Sequence, residues 1–128
     1  MIVALLTLLL LGGGSTYLLE TIDFYQDRAE DVIPEGDRQK QAKAVFDAME
    51  DSTDRRHDMI EDVAEQLDKL LQDKDVADAD LDAVLEQYRD GIVTYYEEML
   101  DHRFELKDHV TREEWQQIFS TSPDNGGY

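Results

Sequence analysis

The sequence lacks cysteine altogether, and its first nineteen residues lack Asp, Glu, Lys, Arg and His. The first absence excludes disulfides, thiol nucleophiles and cysteine-ligated metals, and it leaves the redox compartment open. The first charged side chain is that of Glu20, and from there the chain is rich in carboxylates. The 128 residues include 31 acidic and 12 basic ones, which gives a formal net charge of −19. Such a charge disfavours nucleic acid and anionic lipid surfaces as partners and favours a cationic one.

The uncharged amino-terminal stretch has the length of one membrane crossing. As a helix, residues 2–19 would reach ~27 Å, close to the ~30 Å thickness of a bilayer's hydrocarbon core. Pro34 and Gly36 then end the helix that continues from this stretch. The sequence therefore predicts a single-pass membrane anchor in contact with lipid, followed by a juxtamembrane helix.

Five small residues close the apolar run, namely Gly12, Gly13, Gly14, Ser15 and Thr16. In a membrane, small residues let two helices approach closely, so these are the predicted packing residues for a partner helix. In a secretory signal peptide the three glycines would instead mark the cleavage region. No Lys or Arg precedes the apolar run, which favours a retained anchor over a signal peptide.

Two stretches repeat seam residues at alternating intervals of four and three, the period of a coiled coil. The first runs through Ala42, Phe46, Met49, Thr53, Arg56, Ile60, Val63, Leu67 and Leu70, and the second through Leu81, Leu85, Tyr88, Ile92, Tyr95, Met99, His102, Leu106 and His109. A polar segment separates them, in which Asp78 or Asp80 is the predicted N-cap of the second helix. The pattern predicts a long antiparallel helical hairpin.

The hairpin's register follows from the position of its turn. A symmetric turn would give the facing pairs Leu67–Leu85, Phe46–Leu106 and Arg56–Tyr95. An arginine over a tyrosine ring gains ~0.5 to 2 kcal/mol by cation–π attraction, so a structural role suffices for Arg56. Gly91 within the second helix predicts the close approach of another element, or a bend.

A short helix follows the hairpin. Thr111 and Glu114 have the spacing of a capping box, in which each side chain bonds the other residue's backbone amide. Trp115, Ile118 and Phe119 form the apolar face, which we expect to fold back on the hairpin or to bind a partner subunit. The predicted class is all-α, with an anchor and juxtamembrane helix at 1–33, an acidic hairpin domain at 37–120 and a flexible tail at 121–128.

The order of these elements resembles the periplasmic helical-hairpin family of Spy and CpxP, which includes membrane-anchored heavy-metal-resistance sensors. The resemblance covers roughly residues 38–119 and rests on Arg55 and Arg56 in the first helix, an acidic turn, and Arg103 in the second helix before Val110-Thr111-Arg112-Glu113-Glu114-Trp115. It implies a periplasmic or other extracytoplasmic location and a role as chaperone, kinase inhibitor or metal sensor. Glu114-Trp115 stands where the family usually has Gln or Glu-Gln. This acidic chain lacks the basic surface of the chaperones, so the anchored sensors fit best.

The candidate metal ligands are His102, Met99, Met49 and His109. Imidazole and thioether groups together favour copper or a late divalent ion. The alternative is a seam histidine that only forms a hydrogen bond across the hairpin. A ferritin-like di-iron centre is disfavoured, because its Glu-x-x-His spacing does not occur here.

No motif of an enzyme stands out in the chain. There is no glycine-rich phosphate loop after a strand, and Ser52 and Ser120 have no histidine partner in a known motif. We therefore predict a non-enzymatic, membrane-anchored extracytoplasmic module that binds, senses or regulates, and that forms homo-oligomers or binds a membrane-protein partner. The alternative is a single-span accessory subunit of a larger membrane complex.

Overall fold

The computed structural model describes residues 14–120, and this part of the chain consists of four helices and their connections. The helices are α1 (Gly14–Val32), α2 (Asp37–Leu71), α3 (Asp78–His109) and α4 (Arg112–Phe119). The predicted all-α class is confirmed for this part. The first thirteen residues, which include Gly12 and Gly13, and the predicted tail at 121–128 lie outside it.

The predicted membrane span reaches the described residues only through 14–19, which belong to α1. Among the helices of residues 14–120, none combines the length and the apolar character needed to cross a bilayer. Ser15 is buried, and its Oγ accepts a hydrogen bond of 3.3 Å from Arg56 Nη1 of α2. Gly14 is half-buried and Thr16 is exposed. The described end of the small-residue run thus lies against α2 of its own chain.

Helices α2 and α3 form the predicted hairpin. Every predicted seam residue of α2 is buried or half-buried, and so is every one of α3 except Leu85, which is 40% exposed. Phe46 and Leu106 share one core cluster, as predicted. The pairing of Leu67 with Leu85 is wrong, because Leu67 packs with Val84. In a straight α-helix, residues repeated every 3.5 positions rotate around the helix by ~20° per heptad. At this end of α3 the rotation turns Val84 toward α2 and Leu85 toward solvent.

The connections between helices depend on local backbone features. Gly36 has a φ of 147°, which favours glycine, and it forms the N-cap of α2. The predicted N-cap role of Asp78 or Asp80 is wrong, since Ala77 occupies that position and has no capping side chain. Both aspartates lie in the first turn of α3, where their charge complements the helix dipole.

The main core lies at the end of the hairpin near α4. It unites residues of all four helices and of the α1–α2 connection: Ile22, Ala29, Ile33, Ala42, Val45, Phe46, Met49, Leu106 and Ile118. The capping box of Thr111 and Glu114 is present, with hydrogen bonds of 3.1 and 2.8 Å. Arg28 of α1 donates to the carbonyl oxygens of Gln117 and Ile118, which satisfies the carboxyl end of α4. Helix α4 therefore folds back on its own chain.

Gly91 allows a close contact between the two long helices. A Cβ atom added there would lie 2.5 Å from Cε and 2.7 Å from Sδ of Met59. Such distances are far inside van der Waals contact, so the methionine occupies the space that a larger residue would need. The predicted close approach at Gly91 is confirmed.

Candidate functional site

A polar network joins the middle of α2 and α3. Ser52 Oγ lies 2.7 Å from Glu98 Oε2 and 2.9 Å from His102 Nε2. Arg55 Nη2 donates to Ser52 Oγ at 3.1 Å and to the same Glu98 oxygen at 2.5 Å. The hydrogen bond from Ser52 and the guanidinium of Arg55 lower the pKa of Glu98, so this carboxylate is ionised and only accepts hydrogen bonds.

The network has one balanced set of donors and acceptors. Ser52 gives its single proton to Glu98, so its two lone pairs accept from Arg55 and from His102 Nε2. The tautomer of His102 with its hydrogen on Nε2 is the one that fits this set, because it donates to Ser52.

Ser52 has a histidine neighbour that no sequence motif indicates. The two residues are fifty positions apart, so only the folded hairpin brings them together. Ser52 is 2% exposed and its hydroxyl hydrogen faces Glu98, an arrangement that holds the helices in register rather than presenting a nucleophile.

A second polar contact lies one turn away along the seam. The guanidinium carbon of Arg56 lies 5.6 Å from the centre of the Tyr95 ring, which confirms the predicted cation–π pair. Thr53 Oγ1 lies 3.2 Å from the Tyr95 hydroxyl and donates to the carbonyl oxygen of Met49 at 2.9 Å. The polar seam residues are thus paired with one another.

Three of the four candidate metal ligands have described contacts or surroundings, and the fourth, His109, is half-buried at the end of α3. Met49 and Met99 line a common cavity, and His102 Nε2 lies 2.9 Å from Ser52 Oγ. Within residues 14–120, no group of three or more His, Cys, Asp or Glu side chains is arranged to hold a metal ion. A copper or divalent ion on these ligands stays a prediction.

The corner between α3 and α4 holds two adjoining cavities. One, of about 410 Å³, is lined by Arg103, Lys107, Arg112 and Trp115. The other, of about 380 Å³, is lined by Met49, Met99, Leu106 and Phe119, and it shares Arg103 and Trp115 with the first. Of the predicted partner-binding residues, Trp115 and Phe119 border this corner, while Ile118 is 0% exposed in the core. We refer to the two cavities together as the corner groove.

The outer face of α3 carries large apolar side chains that are more than half exposed, although Tyr96 contacts the Tyr95 ring and Lys107 lies over the Phe104 ring. Val93 is 54% exposed, Tyr96 62%, Leu100 52% and Phe104 59%. Their intervals of three, four and four place them on one face of the helix, which we call the outer stripe. The outer stripe is not evident from the sequence, because the same helix also carries the stronger seam pattern.

An acidic contact joins α1 and α2. A hydrogen bond with Asp23, followed by burial and the charges of Asp23, Asp47 and Asp54, raises the pKa of Glu50 to about 7. The ordinary value is 4.5, so the folded state holds a proton that the unfolded chain releases. The proton stabilises the contact fully below pH 4.5, and this stabilisation is lost as the pH rises through 7.

We therefore expect the free energy of unfolding to fall by about 1 kcal/mol between pH 5 and pH 8 through Glu50, after allowance for solvent screening. Glu50→Gln keeps a hydrogen-bond donor for Asp23 but does not titrate, so it should flatten this dependence. Glu65→Gln, at an exposed position of the same helix, is the matched control. Thermal melts across this range check the effect, and an unchanged slope in Glu50→Gln would contradict it.

Comparison with protein-family models, with curated proteins and with solved structures finds no match to this chain. The resemblance to the Spy and CpxP family therefore stays a hypothesis based on the residues that carry it.

Proposed function

We propose that this chain is a non-enzymatic, membrane-anchored association module that binds a second copy of itself through the outer stripe of α3. The observation that carries the proposal is the exposure of Val93, Tyr96, Leu100 and Phe104 on one helical face. A regulatory or sensory role on the extracytoplasmic side is the part of the proposal that depends on the resemblance to the anchored sensors.

The apolar side chains of the outer stripe are not needed for packing within the hairpin. A surface helix buries one apolar face and keeps the opposite face polar. Helix α3 already buries Tyr95 and Leu106 against the rest of the chain, yet its opposite face still exposes four large apolar side chains to water. Contiguous exposed apolar residues of this kind are typical of interaction sites.

Charge at the borders of the outer stripe favours a parallel pair of α3 helices. One border is acidic along its length, with Asp90, Glu97, Asp101 and Asp108, while the other carries the basic residues Arg89, Arg103 and Lys107. In a parallel pair related by a two-fold axis, opposite borders meet, so acidic residues face basic ones. In an antiparallel pair like borders meet, and like charges would repel.

A parallel pair is also compatible with two anchors in one membrane. A two-fold axis along α3 directs both copies of α1 the same way, so both uncharged segments before Gly14 can enter the same bilayer. An antiparallel pair would direct them to opposite sides. The predicted anchor and the predicted homo-oligomer are therefore consistent with each other only in the parallel arrangement.

The mass of the full-length chain in a mild, non-ionic detergent tests this proposal. We expect a dimer at micromolar concentration. Leu100→Glu should give a monomer, because a carboxylate in the apolar interface would lose its hydration. Leu71→Glu makes the same change at a leucine that is 38% exposed and lies off the stripe, so it should stay dimeric.

Two results would contradict the proposal. One is a monomeric wild-type chain at the highest concentration reached, and the other is a Leu100→Glu variant with the wild-type mass. Extraction from native membranes as a stoichiometric complex with a different protein, and with one copy of this chain, would replace the homodimer by the accessory-subunit function.

A further inference from the structure

We propose that the corner groove binds a small amphipathic anion, an alkyl chain that ends in a carboxylate or a phosphate. This site shares Arg103 and Lys107 with the basic border of the outer stripe, so a bound anion and the acidic border of a second copy would compete for these two cations. It adds a ligand to a protein that the proposed function describes only as an association module.

The polar half of the corner groove concentrates positive charge. Arg103, Lys107 and Arg112 line it, which is three of only 12 basic residues in a chain with 31 acidic ones. The ion pairs present among residues 14–120 engage other basic residues: Arg38, Lys43, Arg55, His57, Lys69 and Arg89. The three groove cations thus face a cavity without a carboxylate partner from the described part of the chain.

Aromatic rings position two of these cations. The guanidinium carbon of Arg103 lies 5.5 Å from the ring centre of Trp115, and Lys107 Nζ lies 5.9 Å from that of Phe104. A guanidinium over a ring face still directs its N–H groups outward in the plane of the group. A carboxylate or phosphate accepts such donors in short, charge-assisted hydrogen bonds.

The other half of the corner groove suits an apolar tail. Met49, Met99, Leu106 and Phe119 line it, and methionine side chains adapt readily to the shape of a flexible apolar ligand. Its volume of about 380 Å³ falls in the range typical of small-molecule sites. Because Arg103 and Trp115 border both halves, one ligand can place its head among the cations and its tail among the methionines.

The net charge of −19 favours a small anionic ligand over a large one. A nucleic acid or an anionic membrane would extend over the acidic surface and be repelled. A small anion inside the groove would interact mainly with charges within the Debye length of ~8 Å at physiological salt, and the charged side chains that line the groove are basic. The local charge of the corner groove therefore decides its binding.

Trp115 is the only tryptophan of the chain, so its fluorescence reports directly on the corner groove. We would titrate the full-length protein, in a non-ionic detergent, with decanoate and with decyl phosphate below the concentration at which they form micelles. We expect a saturable change in Trp115 emission with at least one of them, and the tighter of the two identifies the head group. Decylammonium, with the same tail and the opposite charge, should not bind.

Lys107→Gln is expected to weaken decanoate or decyl phosphate binding about tenfold, the loss of one charge-assisted contact. Lys74→Gln makes the same charge change in the distant α2–α3 turn and should leave the affinity unchanged. Circular dichroism of both variants checks that the helices are intact. The proposal is overturned if neither anion gives a saturable change, if decylammonium binds equally well, or if Lys107→Gln and Lys74→Gln bind like the wild type.

Discussion

Replacing Phe46 by alanine should lower the free energy of unfolding by about 3 to 5 kcal/mol, the cost of removing a phenyl ring from a packed core. Phe46 is 2% exposed and lies in the cluster that joins all four helices, so little room exists for the neighbours to collapse into the cavity. Chemical denaturation, followed by circular dichroism at constant protein concentration, measures the change.

A matched control separates core packing from hydrophobicity alone. Phe104→Ala removes the same ring from a residue that is 59% exposed and should change the free energy of unfolding by no more than about 0.5 kcal/mol. Both variants are best compared in the Leu100→Glu background, where association through the outer stripe should not contribute. Equal losses in the two variants would show that Phe46 does not occupy a core position.

Replacing Ile118 by glutamate should detach α4 from the bundle. Ile118 is 0% exposed, and an unpaired carboxylate at such a site costs several kcal/mol. Because α4 has only eight residues, it does not persist as a helix without its tertiary contacts. We expect the Trp115 emission to shift to the red and the amide protons of α4 to exchange rapidly, while α2 and α3 stay helical.

Gln117→Glu adds the same charge to an exposed position of the same helix that does not line the corner groove. It should keep the wild-type emission and exchange rates, and it should retain the corner groove. A wild-type Trp115 spectrum in Ile118→Glu would contradict the assigned packing of α4. Loss of decanoate binding in Ile118→Glu but not in Gln117→Glu would further link the corner groove to α4.

The features that the sequence predicted correctly depend on local spacing. The capping box of Thr111 and Glu114 needs only two residues three positions apart. The seams of α2 and α3 need only a repeat, and a pairing near the middle of the hairpin, such as Arg56 with Tyr95, tolerates a small error in the turn. Local periodicity was thus sufficient to predict the hairpin but not its exact register near Leu85. There the drift of a straight helix from the 3.5-residue repeat determines which residue faces inward.

The features that the sequence did not predict depend on contacts between distant residues. The network of Ser52 and His102 forms only because α2 and α3 pack together, and neither residue belongs to a sequence motif that would predict the contact. Likewise, Arg103 and Trp115 belonged to separate predicted features, and only the turn of the chain at Val110 brings them to the corner groove. The contact of α1 with α2 at Ser15 could not be predicted from the sequence, because the residues at the start of α1 also fit the pattern of a membrane span.

The most direct test of the association module is a set of disulfide cross-links, since the chain has no cysteine of its own. Val93→Cys, Leu100→Cys and Phe104→Cys would each be oxidised alone in the full-length protein, with Leu71→Cys as the control off the stripe. In a parallel pair each residue lies opposite its own copy, so all three stripe variants should form disulfide-linked dimers and Leu71→Cys should not. In an antiparallel pair centred between Val93 and Phe104, the two copies of either residue would be offset by about 16 Å along the axis. Cross-linking of Leu100→Cys alone, or of no stripe variant, would contradict the account.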